Sequence, residues 1–197
     1  MIVSHTRRFI LFSNPLTECD AIERLFAPFG DTPVAPAARP GMAEFHRHMT
    51  PVEAEERFRS RGLDFDSYLR ITCLRDPFPR QATLWGLVRA TRRIQFGRPG
   101  GPGQRQAFAR WLTRTQPRGP GAGSRRDQPW RRFGGWSAEH GCAGRVAHVI
   151  RREGAERDLA PIFSDLGLAP GPMPWLQPDD PSDWLPLYDS RSIALIC

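Results

Sequence analysis

Residues 69–74, Leu-Arg-Ile-Thr-Cys-Leu, form a run that is almost wholly apolar or β-branched, and it ends at Arg75-Asp76-Pro77. Six residues are short for a helix, and the Asp-Pro step breaks the chain direction, so the run reads as a strand buried on both faces. A helical pattern opens directly behind the turn, at about residue 78, and continues to about 94. A buried strand that feeds a helix through so tight a turn implies parallel partners and a layered α/β architecture.

The rest of the chain supplies further strands and helices. Residues 9–13 read as a second strand, followed by an amphipathic helix over 17–27 with Ile22, Leu25 and Phe26 on one face. Residues 31–41 form a Pro/Ala-rich connection. Thr50-Pro51-Val52-Glu53 combines an N-cap hydroxyl, Pro at the first helical position and Glu at the third, which predicts a helix over 51–61 stopped by Gly62. Residues 96–103 are a Gly/Pro break, and 104–115 form a helix carrying Phe108, Trp111 and Leu112. The Arg/Gly/Pro-rich stretch 116–135 reads as a flexible loop. A strand over 145–151 and a helix over 155–166, ended by Gly167, complete the pattern. At 197 residues this suits one domain, with a central, mainly parallel sheet flanked by helices.

The charge is lopsided. All 28 basic residues are Arg, the chain contains no Lys, and the net charge is +7. Residues 89–132 hold twelve Arg and one acid, so this segment carries +11 and the remainder −4. Such a segment attracts polyanions, although no nucleic-acid recognition module accompanies it, and nucleic acid is therefore not the expected partner.

Four Cys, at 19, 73, 142 and 197, show neither C-x-x-C pairing nor metal-ligand spacing, which points to reduced thiols and a cytoplasmic setting. No apolar run is long enough for a membrane span, and the first residues lack the apolar core of a signal peptide. No metal is expected: His46 and His48 are two residues apart with no third ligand in view. His148 lies in an apolar strand and reads as a core histidine, as Trp85 and Trp111 read as core aromatics. Trp130 and Trp136 flank Arg131-Arg132 in the loop, and His140-Gly141-Cys142 resembles a small redox or metal motif in composition only.

The stretch around Arg75 closely resembles the 3′-phosphate-binding motif of sulfotransferases that use PAPS (3′-phosphoadenosine 5′-phosphosulfate), in which an Arg and, eight positions later, a Ser or Thr grip the nucleotide's 3′-phosphate. Arg75 and Thr83 hold that spacing, and Arg80 lies between them. Residues 146–168 are similar to the late strand and helix of the same families, and residues 188–196 to their C-terminal helix. Cover is weakest over residues 95–135. The resemblance implies a P-loop-like three-layer fold and transfer of a sulfonate group from PAPS to a hydroxyl, of a carbohydrate or similar polar acceptor.

Near the N-terminus the pattern departs from the family. A strand followed by Pro-Lys-Thr-Gly is expected, and this chain reads Asn14-Pro15-Leu16-Thr17-Glu18-Cys19-Asp20, with Leu16 in place of the Lys. Asn14, Thr17 and Asp20 remain as candidate donor-site residues beside Arg75, Arg80 and Thr83, while Glu18 opposes an anion. Arg7, Arg8 or Arg80 is the expected stand-in for the missing cation. On the acceptor side His48, and next His46, is the candidate base that takes the hydroxyl proton. Whether the chain is an enzyme is left open by the missing Lys; the alternative is a catalytically impaired protein that binds a nucleotide or an anionic glycan on the same scaffold.

Overall fold

Phe9, Ile10, Leu11 and Phe12 are all fully buried, so β2 (Phe9–Phe12) needs apolar layers on both sides. The computed structural model describes residues 1–14, 17, 20–36, 44–92, 101–115, 144–169 and 179–196. These fall into two compact units, one built from residues 1–75 and 132–176 and the other from 76–131 and 177–197.

In the first unit β2 lies between β1 (Ile2–Ser4), antiparallel to it, and β5 (Leu69–Leu74), parallel to it. The fourth strand, β6 (His148–Arg151), runs parallel to β5 at the other edge, giving the order β1-β2-β5-β6. Alternation along the strands sends Phe9, Leu11, Ile71, Cys73 and Ile150 to one face. There they meet Ile22 and Phe26 of α1 (Asp20–Phe26) and Leu159, Ile162 and Phe163 of α5 (Ala155–Asp165). Phe26 stacks on Phe163, with ring centroids 5.5 Å apart. Val3, Ile10 and Phe12 face the other way, onto Phe45, Met49, Phe65, Tyr68 and Phe58 of α2 (Pro51–Ser60). A mostly parallel central sheet covered by helices on both faces is thus the architecture of this unit.

A two-stranded parallel pair, β3 (Val34–Ala35) and β4 (Phe45–His46), precedes α2. The α2 start follows from its residues: the Thr50 hydroxyl accepts from the Glu53 N–H, and the Glu53 carboxylate accepts in return from the Thr50 N–H. At its end Gly62 takes φ +67°, the left-handed conformation that Gly adopts without strain.

The second unit holds α3 (Pro77–Arg92), α4 (Pro102–Thr115), α6 (Pro181–Trp184) and α7 (Ser190–Ile193) around a core of Trp85, Phe108, Leu112, Leu187 and Tyr188. The Tyr188 hydroxyl donates to the Phe78 carbonyl at 2.7 Å. Burial, and next the Asp76 carboxylate, push that hydroxyl's pKa well above its ordinary value.

Several expectations need correction. The first helix begins at Asp20 rather than 17, the last strand at His148 rather than 145, and the C-terminal stretch forms only the short α7, started by an Asp189–Ser192 capping box. His148 is half-buried, its Nε2 lying 3.6 Å from Asp165, and so is not a core residue. β1, β3 and β4 were not foreseen. Leu16, Glu18, Cys19, the loop 116–135, Trp130, Arg131, Arg132, Trp136, His140, Cys142 and Cys197 lie outside the described residues.

Candidate functional site

Because β2, β5 and β6 run parallel, their C-terminal ends open at one edge of the sheet, where ligands of open α/β sheets bind. Phe12 is level with Thr72, so the segment after β2 emerges beside the end of β5, where Arg75 lies. Ser13, Asn14 and Thr17 in that segment are buried, and so is Arg75, at 8% exposure. A buried guanidinium at a strand end is costly unless its donors are met, and it presents a planar fork suited to a phosphate. The third strand end is fixed to its helix: the Arg151 N–H donates to the Asp158 carboxylate of α5 at 2.9 Å. That bond, ahead of the neighbouring Arg157 and Arg151 charges, holds the Asp158 carboxyl below its usual range.

His48 reaches this edge from the other layer. Its Nδ1 lies 2.9 Å from the Ser13 carbonyl oxygen, on the first residue after β2. A carbonyl only accepts, so Nδ1 carries the proton and the neutral ring keeps its lone pair on Nε2. The side chain is exposed, which leaves Nε2 accessible as a base. His46, the second candidate, is half-buried in β4 with Ala35 as its register partner.

The remaining sequence candidates are engaged as follows. The Thr17 hydroxyl donates to the Asn14 carbonyl at 2.6 Å. Asp20, exposed in the first turn of α1, forms an ion pair with Arg47. In the second unit the Thr83 hydroxyl donates to the Pro79 carbonyl at 3.0 Å, so a ligand would have to draw that proton from a helix back-bond. The Arg80 N–H donates to the Asp76 carbonyl at 3.2 Å, in the first turn of α3.

Arg7 and Arg8 do not stand in for the missing Lys. They lie in the β1–β2 turn, at the far end of β2 from Ser13, separated from it by a strand of about 13 Å. Arg7 sits over the Phe29 ring and Arg8 over the Tyr68 ring, at 5.7 and 5.2 Å.

Arg47, which sequence reasoning missed, bridges two carboxylates of α1. Its Nη2 lies 2.9 Å from Glu23 Oε2 and also contacts Asp20. Glu23 in turn accepts from the Ser13 hydroxyl and, at 3.2 Å, from the Met1 amino group. Burial pushes the Glu23 carboxyl up, and the Met1 amino group, Ser13 and Arg47 together outweigh it and leave the pKa lowered. Two carboxylates thus occupy the first turn of α1, with Arg47 shared between them. The only sequence signal was the placing of Asp20 and Glu23 three residues apart; Arg47 lies 24 to 27 positions away.

Among the described residues no group of three or more His, Cys, Asp or Glu is arranged to hold a metal, and no helix is long and apolar enough to cross a membrane. No family model matches the chain, no curated protein is similar to it, and no solved structure resembles it.

Proposed function

We propose that the chain is a sulfotransferase-like protein with a P-loop-like fold that takes PAPS as donor and a hydroxyl, of a carbohydrate or similar polar molecule, as acceptor. The observation that carries the reading is the meeting of the segment after β2 with Arg75 at one sheet edge, with the His48 ring fixed to that segment through Nδ1. In this reading Arg75 grips the nucleotide's 3′-phosphate, while Arg80 and Thr83 enter through the sequence resemblance alone. Asn14 and Thr17 line the loop, and Nε2 of His48 removes the acceptor's proton as its oxygen attacks sulfur. The S–O bond to the nucleotide breaks, and PAP (3′-phosphoadenosine 5′-phosphate) leaves with the electron pair. A cytoplasmic location belongs to the same proposal.

A second reading is favoured by one specific observation. Asp20 and Glu23 put two negative charges against Arg47 where a sulfonate would lie, and like charges in a partly buried site oppose an incoming anion. A protein that binds the nucleotide or an anionic glycan with little or no transfer fits that arrangement.

Calorimetric titration with PAP against 5′-AMP tests the shared part of both. Binding of PAP and not of 5′-AMP is expected, and equal or absent binding of the two removes the donor-site assignment. Transfer from PAPS to a panel of hydroxyl acceptors then separates enzyme from binding protein.

A further inference from the structure

His48 is exposed, and an exposed imidazole ordinarily turns freely, so its fixed contact with Ser13 needs a cause. Four side chains supply one by closing a ring of contacts. The Arg47 guanidinium pairs with Glu23, through Nη2 at 2.9 Å and Nε at 3.5 Å. Glu23 accepts from the Ser13 hydroxyl. The Ser13 carbonyl accepts from His48 Nδ1 at 2.9 Å, and His48 is the chain neighbour of Arg47. Ser13 is therefore held at its hydroxyl by Glu23 of α1 and the Met1 amino group, and at its carbonyl by the segment before α2.

The backbone of Arg47 is also tied, to Ala35 and to the Met1 amino group that itself reaches Ser13 and Glu23. The Arg47 N–H donates to the Ala35 carbonyl at 2.8 Å, and its own carbonyl accepts from the Met1 amino group at 2.9 Å. The guanidinium adds the direct side-chain link from this segment to α1, beside the Met1 bridge, and so bears on whether His48 Nδ1 meets the Ser13 carbonyl. Asp20 shares the guanidinium and pulls it toward the N-terminal end of α1.

We propose that Arg47 is a positioning residue for His48: by bridging to Glu23 it holds the ring on the Ser13 carbonyl and so keeps the proton on Nδ1 and the lone pair on Nε2. The catalytic meaning of this rests on the sulfotransfer reading; the tautomer does not. Without the bridge the ring detaches from Ser13, and a free imidazole side chain prefers the opposite tautomer, with the proton on Nε2. Such a ring offers its lone pair at the nitrogen that faces the loop rather than the open edge.

The test is nitrogen-15 NMR of histidine-labelled protein at a pH where imidazoles are neutral, with His48 assigned by loss of its signals in His48→Gln. Wild type is expected to show His48 protonated at Nδ1. Arg47→Met, which keeps the apolar stem, and Glu23→Gln, which keeps the shape of the carboxylate, are both expected to shift His48 to the Nε2-protonated form. Arg47→Lys, able to reach one carboxylate, is expected to restore part of the Nδ1 form. If Arg47→Met fails to fold, Glu23→Gln carries the same comparison. A wild type protonated at Nε2, or variants that leave the Nδ1 form unchanged, overturns the inference whatever the protein's activity. Where wild type transfers sulfonate, Arg47→Met is expected to lower kcat by about 10²-fold, as small misplacements of a reacting group do. Absence of PAP binding or transfer in wild type counts against the sulfotransfer reading alone, since the tautomer is measured without a nucleotide.

Discussion

Arg75 and Asp31 are two charged residues with opposite relations to solvent, and each gives a test. Arg75 is buried at the C-terminal edge of β5. On the proposed reading Arg75→Ala removes a charge-assisted contact to the nucleotide's 3′-phosphate, a loss of about 1.5–3 kcal/mol in PAP binding measured by calorimetry. Unchanged PAP affinity in that variant removes Arg75 from the site. Asp31 is exposed, yet it accepts from the N–H groups of His5 and Thr6 at 2.9 and 2.8 Å and from the Ser4 hydroxyl at 3.1 Å. Desolvation pushes its carboxyl up, and the Thr6 and His5 N–H groups, with the Thr6 and Thr32 hydroxyls, outweigh that and hold it far below the usual carboxylate range. A carboxyl depressed by folding stabilises the protein above its unfolded pKa of about 3.9, and that stabilisation is lost as pH falls through the lower folded value. Asp31→Asn is expected to cost about 1 kcal/mol at neutral pH, discounted for its exposure. In urea unfolding the gap between the two proteins should narrow as pH is taken well below 4. At this scale the sequence put forward Arg75 and His48, because each sits in a recognisable local pattern. Arg47 stayed hidden, because its partners Asp20 and Glu23 belong to another element and only the fold brings them near.

Among the elements, legibility followed local signal strength. β5 has the bounds its sequence predicts, since the apolar run and the Asp76-Pro77 step mark both ends. The start of α2 was equally clear, because its capping box is written within four residues. β1 is three residues long, and β3 and β4 are two each, too short to show alternation, so only their pairing with another strand defines them. The start of α2 has a role beyond its own stability, for Thr50 ends the segment that carries His46, Arg47 and His48. Thr50→Ala is expected to destabilise the protein by about 1 kcal/mol, which for a chain of this size lowers Tm by about 2–4 °C in a calorimetric scan. No change in Tm would mean that the cap adds nothing to the packing of Phe58 against the sheet.

Across the whole molecule, charge is divided unevenly. Residues 77–126 contain no acid, and on α4 the described Arg105, Arg110 and Arg114 are all exposed. On the second proposed reading this surface takes a sulfated polysaccharide by ion release, and affinity is then expected to fall steeply with salt. Replacing these three Arg by Gln is expected to weaken binding to heparin and flatten its salt dependence in a fluorescence titration. An unchanged slope would assign the attraction to Arg residues elsewhere. The layered order of the first unit was readable from alternating strands and helices. Its division from the second was not, because the boundary falls at Arg75 and Asp76, within the short turn that made the strand and the helix look like one piece.

Cys73 is the penultimate residue of β5, 2% exposed, on a strand paired with β2 on one side and β6 on the other. On the face covered by α1 and α5, a thiol meets an external reagent only when the sheet opens from those helices. With Cys19, Cys142 and Cys197 replaced by Ser, its rate of alkylation becomes a clock for the opening of the sheet. The sheet carries both the segment after β2 and Arg75, so slower alkylation with PAP present would time how firmly an occupied edge holds the strands together.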